Sequence, residues 1–159
     1  MTIAKIFAAI AGAVLAYILF NEYQSPGGGI AALIGPSQPV MALASAISVA
    51  EGFGETNAIP TRANNPGDIT DVGQNLPGDT GQRLGQNIIV FATVTDGWNA
   101  LYAQCQRMLS GTDPLYPASD TLQAAGGTYA NDPVNWPANV ASQLGVSINT
   151  TLGQLAGNA

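Results

Sequence analysis

Ser45-Ala-Ile-Ser-Val-Ala-Glu51-Gly-Phe-Gly54 puts a lone carboxylate where an apolar helix runs out. Ahead of Glu51, residues Leu43, Ala44, Ile47 and Ala50 recur at helical spacing. The segment from about Val40 therefore reads as a helix with a buried face, closed by Gly52 and Gly54. Ser37, with Pro39 close behind, is placed to cap its start. The last helical turn is an awkward place for an acid. The helix dipole presents partial negative charge there, and Ile47, Val49 and Phe53 offer little water. Both effects raise the pKa of Glu51. A carboxyl group held protonated near neutral pH is what general acid catalysis of glycosidic cleavage requires.

Composition narrows the chemistry available to the rest of the chain. With 159 residues, 47% of them hydrophobic, the chain has room for one modest domain plus an appendage. Charged residues make up 9%, which is low for a soluble surface, and acids outnumber bases to give a net charge of −6. Arg62, Arg83 and Arg107 are scattered rather than clustered, which argues against nucleic acid as a partner. The sequence has no His and a single Cys, Cys105. Zinc sites, Ser-His triads and disulfide frameworks are thereby excluded, and no metal or cofactor is implied. Carboxylates, hydroxyls and amides are left to do any chemistry.

Read from the N-terminus, Ile6 to Phe20 is an uninterrupted uncharged run. Extended back to Ile3, with Lys5 snorkelling its ammonium outward, it reaches about 18 residues, enough to cross a hydrocarbon core of roughly 30 Å. A cleavable signal peptide would need small residues at its end, and Asn21-Glu-Tyr-Gln24 is a poor cleavage site. The reading is an uncleaved anchor over residues 1–24, spanning the membrane through residues 3–20. Lys5 sets its N-terminus inside and the domain outside. Residues 25–39, with Gly27-Gly-Gly29, Gly35-Pro36 and Pro39, form a linker. A short apolar island from Ile30 to Ile34 interrupts it. Residues 40–159 form the domain.

Within that domain, Glu55 to Asn65 is rich in turn formers, and Pro60 and Pro66 keep it out of regular structure. Asp68-Ile-Thr-Asp71 begins a short strand and Asn87 to Phe91 forms a stronger one, giving a small β-hairpin with a Gly- and Asn-rich loop between. Thr95 or Asp96 caps a helix in which Trp98, Leu101, Tyr102, Cys105, Met108 and Leu109 share one stripe, ending at Gly111. Short helices follow. One is capped by Asp120 or Thr121 and ended by Gly126-Gly127, one runs through Val140 and Leu144 to Gly145, and a last weak one spans Thr151 to Leu155.

Taken in order, Ala50-Glu-Gly-Phe-Gly54, Asn64-Asn-Pro-Gly-Asp-Ile69, the strand ending at Phe91, Thr95-Asp-Gly-Trp-Asn-Ala-Leu101 and Gly126-Gly-Thr-Tyr-Ala-Asn-Asp-Pro133 resemble the lysozyme-like superfamily. The nearest branch is the phage and bacterial peptidoglycan lytic transglycosylases, and the likeness covers roughly Val40 to Leu155. It implies a mainly α, α+β lysozyme-like fold with a small β-hairpin lobe.

The resemblance also implies that Glu51 is the catalytic acid and peptidoglycan glycan strands the substrate. Glu51 would protonate the oxygen between N-acetylmuramic acid and N-acetylglucosamine, then accept the C6 hydroxyl proton as a 1,6-anhydro ring closes. Such an enzyme needs no second carboxylate, unlike most glycosidases. Asp68 and Asp71 are the candidates should there be one, as the water-activating base of an inverting hydrolase, with turn capping the alternative for both. Related sequences usually carry Asn at the position of Asp68. Asn64, Asn65 and Asp68 are candidate glycan contacts, although Asn-Pro-Gly is also an ordinary turn. Tyr129 matches a tyrosine that faces the acid in this family, where its hydroxyl would fix the carboxyl group or a sugar. For Phe91 and Trp136, core packing is favoured over sugar stacking. A tethered murein-degrading enzyme fits a bacterial envelope or a membrane-containing phage virion, with virion capsid or membrane proteins as neighbours. A non-catalytic glycan-binding or structural module and a hydrolytic muramidase are the rival readings.

Overall fold

A computed structural model describes residues 35–157 apart from Asn131. The anchor expected over residues 3–20 lies outside the described residues. So does the linker up to Ile34. Among the described residues no helix is long and apolar enough to cross a membrane.

The compact unit begins at Gln38, slightly earlier than the boundary read from the sequence. It is mainly helical with one two-stranded sheet. Helix α1 spans Gln38–Ala50, with Pro39 in its first turn, where a missing N–H costs nothing. Its buried residues, Val40, Leu43, Ala44, Ala46, Ile47 and Ser48, form the expected inner face. The helix closes by a Schellman arrangement. The Phe53 N–H donates to the Ser48 carbonyl at 2.9 Å and the Gly52 N–H to the Val49 carbonyl at 3.1 Å, with Gly52 at φ 75°. That pairing makes Glu51 the C-cap residue.

The run after Glu51 was expected to lack regular structure, yet it contains a short helix, α2 (Ile59–Arg62), with Pro60 in its first turn. Proline there presets the helical φ and removes only a donor that has no partner.

The sheet pairs β1 (Asp79–Leu84) with β2 (Ile88–Phe91), antiparallel, in a register that joins Asp79 to Phe91, Arg83 to Ile89 and Leu84 to Ile88. The expected strand at Asp68–Asp71 is reduced to a single bridge from Thr70 to Ile88. The partner of β2 comes instead from the Gly-rich segment. Its burial alternates poorly because Asp79 to Leu84 lies at the rim, so no apolar period marks it.

Helix α3 (Val94–Ser110) starts two or three residues earlier than read. Thr93 is its N-cap, and Thr93 and Asp96 complete a capping box. Its inner stripe of Leu101, Cys105, Met108 and Leu109 is buried, with Trp98 and Tyr102 packed at the margin. Helix α4 (Leu122–Tyr129) begins at Thr121, whose hydroxyl accepts from the Ala124 N–H. It runs through Gly126-Gly127 instead of stopping there. A β-carbon on Gly126 would lie 2.8 Å from Pro137 Cδ and 3.0 Å from Trp136 Cε3, so the glycine permits a close helix crossing and ends nothing.

Helix α5 (Asn135–Leu144) follows, its first amides satisfied by Asp132, which accepts from the N–H groups of Val134 and Asn135. Helix α6 (Leu152–Gly157) closes the unit. Helix α1 packs on α5 and α3, α5 also on α4, and α3 also on α6. One core joins these helices, and a smaller one of Ile89, Phe91 and Ala100 lies under the sheet. The end of α1 is thus brought beside the start of α5 and the end of α4.

Candidate functional site

Glu51 is partly exposed at the end of α1, and its carboxyl has one protein partner. The indole Nε1–H of Trp136 donates to Glu51 Oε1 at 2.7 Å. Burial pushes the carboxyl pKa from its usual 4.5 up to about 7. The Trp136 hydrogen bond opposes that rise, and the neighbouring carboxyl of Asp68 adds to it. Among the described residues no salt bridge reaches either acid. A carboxyl with that pKa is present in both protonation states near neutral pH.

Asp68 sits on the loop between α2 and the sheet, at φ 49°. Asp and Asn accept this left-handed conformation more readily than most residues, so the backbone constrains the position without choosing between them. Burial raises the Asp68 pKa, and its Oδ1 is buried with no hydrogen-bond partner. An anion there would carry an unsatisfied oxygen, which the neutral acid largely avoids.

The loop itself is held by two devices. The Tyr129 hydroxyl donates to the Gly67 carbonyl at 2.7 Å, clamping the end of α4 to the residue before Asp68. Burial drives the Tyr129 pKa well above its usual 10, so the phenol stays a neutral donor. Gly97 on α3 supplies the second device. A β-carbon there would lie 1.9 Å from the Asn64 carbonyl oxygen, so Asn64 to Gly67 rests directly on that helix.

Asn65, a candidate glycan contact from its sequence context, is turned inward. It is fully buried, its Nδ2 donates to the carbonyls of Ile69 (3.0 Å) and Ile89 (2.9 Å), and its Oδ1 accepts from the Ile69 N–H. Both ends of the amide are committed to backbone. Asn64 is partly exposed, with φ 52°, and its Nδ2 donates to the Phe91 carbonyl at 3.1 Å, which ties the loop to β2. These two residues build the loop that carries Asp68.

The Tyr129 hydroxyl, expected to fix the Glu51 carboxyl or a sugar, is bonded elsewhere. The Tyr129 ring stacks on Trp136 at 5.0 Å and 27°, and the hydroxyl is spent on Gly67. Trp136 is the site residue that sequence reasoning placed in the core. It is only 4% exposed, so it is both core and site. The available signal was chemical: a buried indole N–H needs an acceptor, and Glu51 was the one carboxylate expected to be buried. Asp71, the other candidate base, is turned outward and bound by Arg83 at 2.7 Å. Phe91 is buried in the smaller core. Among the described residues no three His, Cys, Asp or Glu side chains converge as a metal site.

No protein family, curated protein or solved structure gives a significant match to this chain.

Proposed function

We propose that this chain is a peptidoglycan lytic transglycosylase of lysozyme-like fold, tethered to a membrane through residues 3–20 and presenting its domain to murein. The observation that carries the reading is the carboxyl of Glu51, held near a pKa of 7 without a cationic partner. Such a group is a competent acid in one half of a reaction and a competent base in the other. In the first half, Glu51 passes its proton to the glycosidic oxygen as the bond from C1 of N-acetylmuramic acid breaks. In the second, the carboxylate takes the proton of the C6 hydroxyl while that oxygen bonds to C1. The 1,6-anhydro ring closes, Glu51 is protonated again, and no water is consumed. The tether keeps the enzyme at high effective concentration beside its polymeric substrate, as a bacterial envelope or a membrane-containing virion requires.

A purely structural module leaves the buried acid unexplained. Lifting the pKa from 4.5 to about 7 costs the folded state about 3 kcal/mol at neutral pH, which an idle position has no reason to retain. The hydrolytic rival has one observation in its favour, the proximity of the Asp68 carboxyl to Glu51. Its Oδ1 is buried without a partner and burial raises its pKa, so the ionised form that would activate water is disfavoured.

Mass spectrometry of murein digested with the full-length chain tests the proposal. Anhydro-ended muropeptides are expected from the wild type and none from Glu51→Gln. Reducing-ended products would move the assignment to a hydrolase. Undigested murein under all conditions would leave only a binding module.

A further inference from the structure

We infer that Trp136 is a positioning residue that fixes which oxygen of Glu51 carries the proton, assigning it to Oε2. An indole N–H can only donate, so the oxygen it touches must accept. The donor lies 2.7 Å from Oε1. In a neutral carboxyl group the carbonyl oxygen is the acceptor, so the hydroxyl is Oε2, the oxygen without a protein partner. Trp136 thereby separates the two oxygens into one that is held and one that reacts.

The surrounding structure fixes the indole in turn. Gly126 lets α5 approach α4 until Trp136 Cε3 would stand 3.0 Å from any added β-carbon, and the Tyr129 ring covers the indole in a stacked contact. Trp136 has no room to turn away. The titratable group that acts on Glu51 is Asp68 from the loop, and those that act on Tyr129, stacked on the indole, are Cys105, Glu51, Tyr116 and Asp68; none of them is cationic.

The arrangement has a catalytic consequence, which rests on the transglycosylase reading. When Oε2 gives up its proton, the bond from Trp136 becomes a bond to an anion, and such bonds are roughly twice as strong as neutral ones. The indole therefore favours the state reached after proton transfer over the resting state. That is differential stabilisation, which raises kcat more than it lowers KM.

The test needs no loss of structure. The chain has two tryptophans, so the full-length protein labelled with nitrogen-15 gives two indole signals to follow from pH 5 to pH 9. The Trp136 signal is expected to shift with a midpoint of about 7, matching Glu51, and to become flat in Glu51→Gln. The Trp98 signal, which reports no contact with the acid, should stay flat in both. Trp136→Phe keeps the ring and removes the donor. It should raise the midpoint of the Glu51 carboxyl and lower kcat about 10-fold with KM nearly unchanged. A Trp136 signal that ignores pH while the Glu51 carboxyl titrates would overturn the inference. An indole signal that titrates in a protein inert towards murein would sink the enzyme assignment and leave the role of Trp136 on the carboxyl standing.

Discussion

The β-hairpin and the end of α1 treat the same functional group in opposite ways. At the hairpin, Arg83 forks between Asp71, on the loop that precedes it, and Asp79 in β1, with contacts of 2.7 Å to each. Backbone donors add to this, from Gly73 to Asp71 and from Gly81 to Asp79. Both carboxyls are held below the usual range, for Asp71 chiefly by the Gly73 N–H and for Asp79 chiefly by Arg83. At the end of α1, Glu51 and Asp68 face one another among apolar neighbours with no cation between them, and burial pushes both upward. Hydrogen bonds and a guanidinium make a carboxylate a permanent anion that pins a turn. Their near absence leaves a carboxyl poised between two states. The difference lies in the surroundings, and it marks which acids can exchange a proton at neutral pH.

The largest expected effect breaks the comparison at its reactive side. Glu51→Gln should lower murein turnover by at least about 100-fold, whereas Asp71→Asn and Asp79→Asn leave it within a factor of a few in a turbidity assay. In the proposed mechanism the protonated acid is the reactive form, so kcat/KM of the wild type should fall about tenfold per pH unit above a pH of about 7.

Gly97→Ala comes next. Its methyl would collide with the Asn64 carbonyl, and because both partners are backbone, neither can swing aside. A loss of about 3 kcal/mol or more is expected in denaturant titration, enough to threaten folding.

Glu51→Gln should also alter stability with a definite sign. The folded-state pKa lies above the usual value, so the contribution of Glu51 is fully present below about 4.5 and is lost as pH rises to about 7. The amide does not titrate, so the variant should be more stable than wild type by up to about 3 kcal/mol at pH 8. At pH 4 the two should be nearly equal. Urea titration at the two pH values checks this, and the hairpin acids, shifted the other way, should give the reverse trend.

Smaller still is Tyr129→Phe, which keeps the stack on Trp136 and removes the donor to Gly67. A stability loss of about 1 kcal/mol is expected, with hydrogen exchange faster from Gly67 to Ile69 than elsewhere. Least of all, Arg83→Ala should shift the thermal midpoint slightly and in a salt-dependent way, with murein turnover unchanged.

Much of the helical frame was legible because it rests on local rules. The stripe of α3 and the glycine stop after Glu51 follow from spacing and backbone conformation, and both are present. The misread elements are those decided by distant neighbours. Gly126-Gly127 looks like a helix end until Trp136 and Pro137 arrive from α5 and need the space. Strand β1 carries no apolar alternation because its partner, more than its side chains, makes it a strand. The short helix α2 shows the reverse error, since Pro60 reads as a breaker unless it falls in a first turn.

The candidate site divides along the same line. Glu51 was found because its predicament is local, an acid on a helix terminus among apolar residues. The backbone roles of Asn64 and Asn65 were not legible because an amide offered to a sugar and an amide offered to a backbone have the same sequence. Only the carbonyls of Ile69, Ile89 and Phe91 distinguish the two. Trp136 is 85 positions from Glu51, so no spacing rule could join them.

The central claim is that Glu51 keeps its proton near neutrality. Its side-chain carboxyl carbon, labelled with carbon-13 and followed by NMR from pH 3 to pH 9, measures this directly. A midpoint near 7 is predicted, well separated from the hairpin acids Asp71 and Asp79, which should titrate below the usual aspartate range. A midpoint near 4.5, the value of a solvated glutamate, would contradict the account and leave Glu51 an ordinary anion at the end of a helix.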